Sequence, residues 1–287
     1  MTTAFAPTAA KPVLANAPHR VGRVALIVHD LDRVSAFYQS VLGLRALSRE
    51  PDATRLGTDS AVLIELRQDA DARVQPRHEA GLFHTAFLLP RRADLGSWLD
   101  FALTEGVKLT GASDHFVSEA VYLNDPEGNG IEIYVDRPSS QWRRTDGLIR
   151  MTTDPLDIDG LLGSAGPSWS GFPDNGVVGH VHLQVGDLGA ADGFYRDLLG
   201  FEVTSRYPGA NFYGSGGYHH QLAGNIWNSE FAAPRADRAT GLADVELLFR
   251  QTVVDAVLAR MGRGGREEAR NVTLRDLWGI SITLRSA

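Results

Sequence analysis

A gapless internal repeat constrains this chain more than any other feature. Gly22 opens GRVALIVHDLDRVSAFYQSVLGL and Gly179 opens GHVHLQVGDLGAADGFYRDLLGF, 157 residues later; Gly43 and Gly200 keep the same separation. A repeat that holds its length this way restricts the fold to an assembly of copies of one unit. Each copy begins with the alternating apolar residues of a strand: Val24, Leu26 and Val28, then Val181, Leu183 and Val185. After an Asp-Leu turn the apolar residues switch to helical spacing, as Val34, Phe37, Tyr38, Val41 and Leu42, matched by Ala191, Phe194, Tyr195, Leu198 and Leu199. Gly43 and Gly200 then suit the left-handed position that ends a helix. RALSRE, ATRLG and AVLIELRQ in the first copy, and FEVTSR, ANFYG and YHHQLAG in the second, read as three further strands each.

A weaker pair of copies follows. GLFHTAFLLP (Gly81 to Pro90) corresponds to GLADVELLFR (Gly241 to Arg250), and DPEGNGIEI (Asp125 to Ile133) to DLWGISITL (Asp276 to Leu284), which sets Glu132 opposite Thr283. A helical run lies between: Leu95, Trp98, Leu99, Ala102 and Leu103 in one, Val254, Val257, Leu258 and Met261 in the other. The chain therefore reads as α+β, four βαβββ modules at about 22–70, 81–136, 179–227 and 241–286. The expected division is a tail at 1–20, an N-terminal two-module domain at 21–136, a connector rich in Pro, Gly and Ser at 137–178, and a C-terminal two-module domain at 179–287.

Composition removes several classes of function. Lys+Arg number 28 against Asp+Glu 35, a net charge of −7, so the basic excess that a phosphate backbone selects is missing and nucleic acid is not an expected partner. There is no cysteine, which excludes thiolate metal sites, disulfides and a cysteine nucleophile and leaves His and carboxylate as metal donors. No apolar stretch approaches the roughly 20 residues of a membrane span, and the first twenty residues lack a signal-peptide pattern; a cytoplasmic protein without a membrane partner is expected. The arginine runs at Trp142 to Arg144 and Gly262 to Arg270 read as surface charge, GRGG lacks P-loop spacing, and no GxSxG elbow is present.

With these modules on the page, the chain resembles the vicinal oxygen chelate superfamily, which includes glyoxalase I, bleomycin-resistance proteins and the extradiol ring-cleaving dioxygenases. The four-module length, GLFHTAFLLP, GASDHFVSEAVYLNDPEGNGIEIYVDRP and GGYHHQ look most like the catechol 2,3-dioxygenase-type branch. The resemblance spans nearly all of the chain after residue 20 and implies two half-barrels built from paired modules.

Members of that superfamily take metal ligands from the first and last strands of their modules. Carried across, the first-strand position holds Arg23, His84, His180 and Asp244 in modules one to four; the last-strand carboxylate position holds Glu65, Glu132, Leu222 and Thr283. Pairing modules two and three gives His84, Glu132 and His180, the two-His-one-carboxylate set that leaves positions open on Fe(II). It requires modules to exchange between halves, and modules one and four would keep Arg23, Asp244 and Thr283 as a site without a metal. A set with His219 or His220 in place of His84 remains open. Taken singly, each of these residues also reads as an ordinary packed or surface side chain; their corresponding repeat positions single them out.

The resemblance also implies roles around the metal. Tyr122, ten residues before Glu132, matches a tyrosine that contacts the substrate hydroxyl in extradiol enzymes, where a phenol can donate a hydrogen bond. His220, aligned on the last strand of module three, matches an acid/base histidine of that branch. His115, on the second or third strand of module two, is a further contact for substrate or O2, and His182 packs against the ligands. The expected function is an Fe(II)-dependent extradiol dioxygenase, with Mn(II) as an alternative metal and a catechol or hydroquinone and O2 as small-molecule partners; a homo-oligomer is left open. The alternatives are a glyoxalase-like isomerase or transferase, which needs a fourth ligand that Leu222 does not provide, and a metal-free binding protein.

Overall fold

In the computed structural model, residues 13–235, 238–262 and 271–286 are described. The first repeat forms β1 (His19–Val28), α1 (Leu31–Ser40), β2 (Arg45–Arg49), β3 (Ala53–Gly57) and β4 (Val62–Gln68). The Asp30 carboxylate accepts from the Arg33 N–H and caps α1, which buries Leu31, Val34 and Tyr38. Gly43 follows with φ +74, a conformation that favours glycine, and the connector passes close over it, with the Phe172 N–H donating to its carbonyl.

The second repeat gives β5 (Gly81–Leu88), α2 (Arg92–Thr104), β6 (Leu109–Asp114), β7 (Ser118–Asn124) and β8 (Gly130–Asp136). The third gives β9 (Val177–Gln184), α3 (Leu188–Ala191), which widens into a π-helical segment over Asp192–Leu198, then β10 (Glu202–Tyr207), β11 (Ala210–Gly214) and β12 (Leu222–Asn225). The fourth gives β13 (Gly241–Phe249), α4 (Gln251–Arg260), β14 (Asn271–Arg275) and β15 (Ser281–Ser286). Among the described residues this last module has two strands after its helix where three are expected; most of the arginine run of Gly262 to Arg270, and the first twelve residues of the expected tail, lie outside the described residues.

The strands form two large curled sheets. One runs β14-β15-β13-β1-β4-β3-β2 and the other β10-β11-β12-β9-β5-β8-β7-β6, so the first repeat joins the fourth and the second joins the third. Each sheet has an antiparallel seam between repeats, β1 with β13 and β5 with β9. Within every repeat the first strand pairs in parallel with the last.

Strand alternation then separates two faces. On one face Leu26, Ile64, Val245 and Ile282 from the first sheet and Phe87, Ile131, Val181 and Leu183 from the second enter a common apolar cluster with Tyr38 and Trp98. Trp98 is fully buried and its indole N–H donates to the Val41 carbonyl at 2.9 Å, tying α2 to the end of α1. The opposite face of the second sheet carries His84, Glu132, His180 and His182 towards a cavity. The connector is more than a link: its helix Ile158–Leu162 packs on α2, and Met151, Thr152 and Thr153 line the same cavity. Among the described residues no helix is long and apolar enough to cross a membrane.

Candidate metal centre

Three side chains on adjacent strands of the second sheet converge. Ala86 pairs with Glu132 across β5 and β8, and with His180 across β5 and β9, so His84, two residues earlier on the same face, reaches the same point. The ligand atoms of His84, Glu132 and His180 lie within 4.8 Å of one another, and all three residues are buried. The Glu132 Oε2 is 2.9 Å from His84 Nε2 and 3.3 Å from His180 Nε2. Gly179, next to His180, leaves the room that the Tyr134 hydroxyl occupies.

Burial alone would raise the Glu132 carboxyl, but the two imidazoles hold it well below the usual carboxylate range. Burial lowers His180 to about 4, against the pull of Glu132 and helped by His84. A carboxylate held ionised beside a neutral His180 and the imidazole of His84 is a donor set that suits a divalent cation. The geometry fits as well: His84 Nε2, although 2.9 Å from the carboxylate, makes no hydrogen bond. A buried polar atom left this way costs about 1–3 kcal/mol, and a cation among the three groups would take the unused lone pair. The residues present therefore fit a divalent metal ion.

The cavity beside this cluster has a volume of about 430 Å³ and is bounded by Phe83, Phe212 and Trp227. His182 stands between these rings, 5.1 Å from Phe83 and 5.2 Å from Trp227, with its Nε2 buried and unpartnered. It lies beside the ligand cluster, 5.0 Å from the His84 ring, and is not part of it.

Tyr122 and His115 meet at the rim. Tyr122 is the cross-strand partner of Glu132, and its hydroxyl is 2.6 Å from His115 Nε2. His115 Nδ1 is 2.5 Å from the Thr152 carbonyl, which can only accept, so in the neutral ring Nδ1 bears the proton and Nε2 accepts from Tyr122. With His115 in that form, the phenol donates to His115 and its lone pairs remain for other partners. Burial, reinforced by Glu132, holds its pKa well above the ordinary value. His115 itself is in the turn between β6 and β7 and not on either strand, because its N–H closes that turn on the Ser118 carbonyl.

His220 lines the cavity and lies over His180, with ring centroids 4.1 Å apart. β12 begins at Leu222, so His219 and His220 precede the strand, and the pairing of His182 with Ala223, set beside that of Ala86 with Glu132, makes Ala223 and not Leu222 the counterpart of Glu132. Leu222 belongs to the shared core. His220 faces the cavity because the turn before β12 breaks strand alternation. His219 is fully buried. Its contact with Asp136 at 2.8 Å joins residues far apart in sequence, and no local pattern announces it.

The model of the Glyoxalase/Bleomycin resistance protein/Dioxygenase superfamily matches residues 20–133 and 177–282. A relative from Bacillus subtilis (strain 168), catechol-2,3-dioxygenase, is 40% identical over 252 residues, covering 85% of this chain and 88% of its own length. In fold, the chain is similar to a solved structure from Bacillus subtilis (TM-score 0.61, 16% identity, 93% of this chain and 84% of that one). Glyoxalase I from Zea mays also resembles it (TM-score 0.54, 16% identity, 93% and 92%).

Proposed function

The chain belongs to the Glyoxalase/Bleomycin resistance protein/Dioxygenase superfamily, and from that premise we propose that it is an extradiol dioxygenase that opens a catechol or hydroquinone ring with O2. The observation that carries this reading is the buried His84, Glu132 and His180 cluster opening onto an aromatic-walled cavity where Tyr122 and His220 also converge. The 40% identity to a catechol-2,3-dioxygenase over most of both chains supports it.

His84, His180 and Glu132 hold the metal, Fe(II) with Mn(II) as the alternative. Bound there, such an ion would supply Lewis-acid and electron-transfer chemistry to a diol and O2 held beside it. Phe83, Phe212 and Trp227 offer faces and edges against which an aromatic ring packs. Tyr122, its proton committed to His115, accepts a hydrogen bond from a substrate hydroxyl and so orients the ring. Burial keeps His220 neutral, its pKa held well below the ordinary value, which fits it to take the hydroxyl proton at Nε2. The product is a ring-opened semialdehyde or acid.

The test is oxygen uptake by anaerobically Fe(II)-loaded protein given a panel of catechols and hydroquinones, with EDTA-treated protein as control. Metal-dependent uptake with a ring-opened product is expected. Bound stoichiometric metal with no uptake on any ring would overturn the dioxygenase reading.

A further inference from the structure

The mechanism above uses His220, and four side chains behind it, His219, Asp136, Tyr218 and Tyr134, form a hydrogen-bonded chain that leads away from the cavity. His220 Nδ1 is 2.8 Å from His219 Nδ1, and His219 Nε2 is 2.8 Å from the Asp136 Oδ1. The Tyr218 hydroxyl donates to that same oxygen at 3.2 Å and is itself 2.8 Å from the Tyr134 hydroxyl. Trp142 covers His219 with ring centroids 5.1 Å apart, and Tyr218 stacks on it at 4.1 Å. His219 is completely buried, His220 nearly so, and the Asp136 carboxylate remains 21% exposed.

With His219 neutral, counting protons gives the direction of every bond. A carboxylate only accepts, so His219 Nε2 must carry hydrogen. A neutral His219 then has a lone pair at Nδ1, and the 2.8 Å contact between the two Nδ1 atoms requires His220 to donate from its own Nδ1. That leaves Nε2 of His220 bare. Tyr218 gives its single proton to Asp136, so Tyr134 donates to Tyr218, and the whole array converges on one carboxylate. Without a fixed acceptor at its far end, the imidazole pair could run in the opposite sense, with N–H and not a lone pair at His220 Nε2.

We propose that Asp136 and His219 are positioning residues that set the tautomer of His220, holding a bare Nε2 towards the cavity to accept the substrate hydroxyl proton. This rests on the reading of His220 as the proton acceptor. It assigns a role to Asp136 at the last residue of β8, four residues beyond Glu132, so one strand supplies both a metal ligand and the anchor of the acceptor's orientation.

The test reads the tautomer directly and separately from turnover. Long-range 1H–15N NMR on the zinc-loaded wild-type protein should show hydrogen on His219 Nε2 and His220 Nδ1, with His220 Nε2 carrying the shift of an unprotonated nitrogen. Hydrogen on His220 Nε2 would overturn the proposal, whatever the activity. In the Fe(II)-loaded protein, Asp136→Asn should lower kcat about 10–100-fold with KM and metal content unchanged, and Asp136→Glu should recover most of the loss. Metal content falling in step with kcat, or unchanged kcat and tautomers in Asp136→Asn, would overturn it. If no ring is opened by the wild type, the dioxygenase reading fails while the NMR result still decides the tautomer.

Discussion

The two seams of the molecule present different chemistry on the same frame. Along β5 and β9, Ala86 faces His180, His84 faces His182, and Ala86 pairs with Glu132 on the parallel side. Along β1 and β13, Ala25 faces Asp244 and pairs with Glu65, while Arg23 and Glu246 take the places of His84 and His182. In the second case Arg23 reaches Glu65 at 2.6 Å and Glu246 at 3.5 Å, Arg67 and Arg55 also bind Glu65, and Asp244 accepts from Ser281 and Thr283. Burial would raise Glu65, yet Arg67, Arg23 and Arg55 bring it below the usual range. A fixed cation thus satisfies the carboxylate permanently, where His84 leaves a buried ring nitrogen without a hydrogen-bond partner. The comparison separates scaffold from chemistry: one half keeps a structural ion network, and the other keeps a buried donor set.

The sharpest break in the comparison is removal of a donor. Glu132→Ala and His180→Ala should each abolish stoichiometric metal binding and turnover, measured by elemental analysis and oxygen uptake, whereas Glu65→Ala should leave both intact per folded molecule. Next in size is His220→Ala, expected to retain metal while kcat falls about 10²–10⁴-fold, the range of a lost general base; coincident loss of metal would move His220 into the ligand set. Arg23→Ala should lower the unfolding free energy by about 1–3 kcal/mol by leaving Glu65 and Glu246 less well paired, with turnover of the folded fraction unchanged; denaturant midpoint and oxygen uptake together report it.

The smallest effect is a difference in acid response. His180 is neutral in the folded protein until about pH 4 but takes up a proton near 6.5 when unfolded, so its contribution is complete above pH 6.5 and is lost as pH falls towards 4. Burial, with Arg250 and Arg260, also lowers His19 to about 4, which adds a contribution of the same sign from the outer end of β1. Metal-free wild-type protein should therefore lose stability between pH 6.5 and 4, His180→Gln should flatten the slope, and metal loading should move the loss to lower pH.

Much of this was legible before any coordinates. The repeat, the glycines after the helices and the position of His84, Glu132 and His180 follow from periodicity joined to a family resemblance, because each is a local pattern recurring at a fixed offset. The expected modules emerge with their helices and most of their strands. What local pattern does not encode is register and turn geometry. A one-residue slip made Leu222 stand for Ala223, since the strand begins at Leu222 and the turn before it breaks the alternation that the sequence extends back to Tyr218. His115 and Tyr122 are both visible in the sequence, but the direction of the proton between them depends on the Thr152 carbonyl, supplied by the connector. Asp136 is ordinary at the level of sequence, and its link to His219 takes shape only when β8 and the turn before β12 meet.

The crosswise pairing of the repeats has a consequence for how the chain assembles. The pairs nest like brackets, with the second and third repeats inside the first and fourth. The sequence span that must close to bring Ala86 to His180 is less than half that between Ala25 and Asp244, an advantage of about 0.7 kcal/mol in closure entropy. On a ribosome the inner bracket is also complete first, since its last strand, β12, is made before β13 begins. Nesting therefore lets the chemical half take shape from a contiguous length of chain, with β1 as an unmatched edge until the fourth repeat arrives to close the outer bracket.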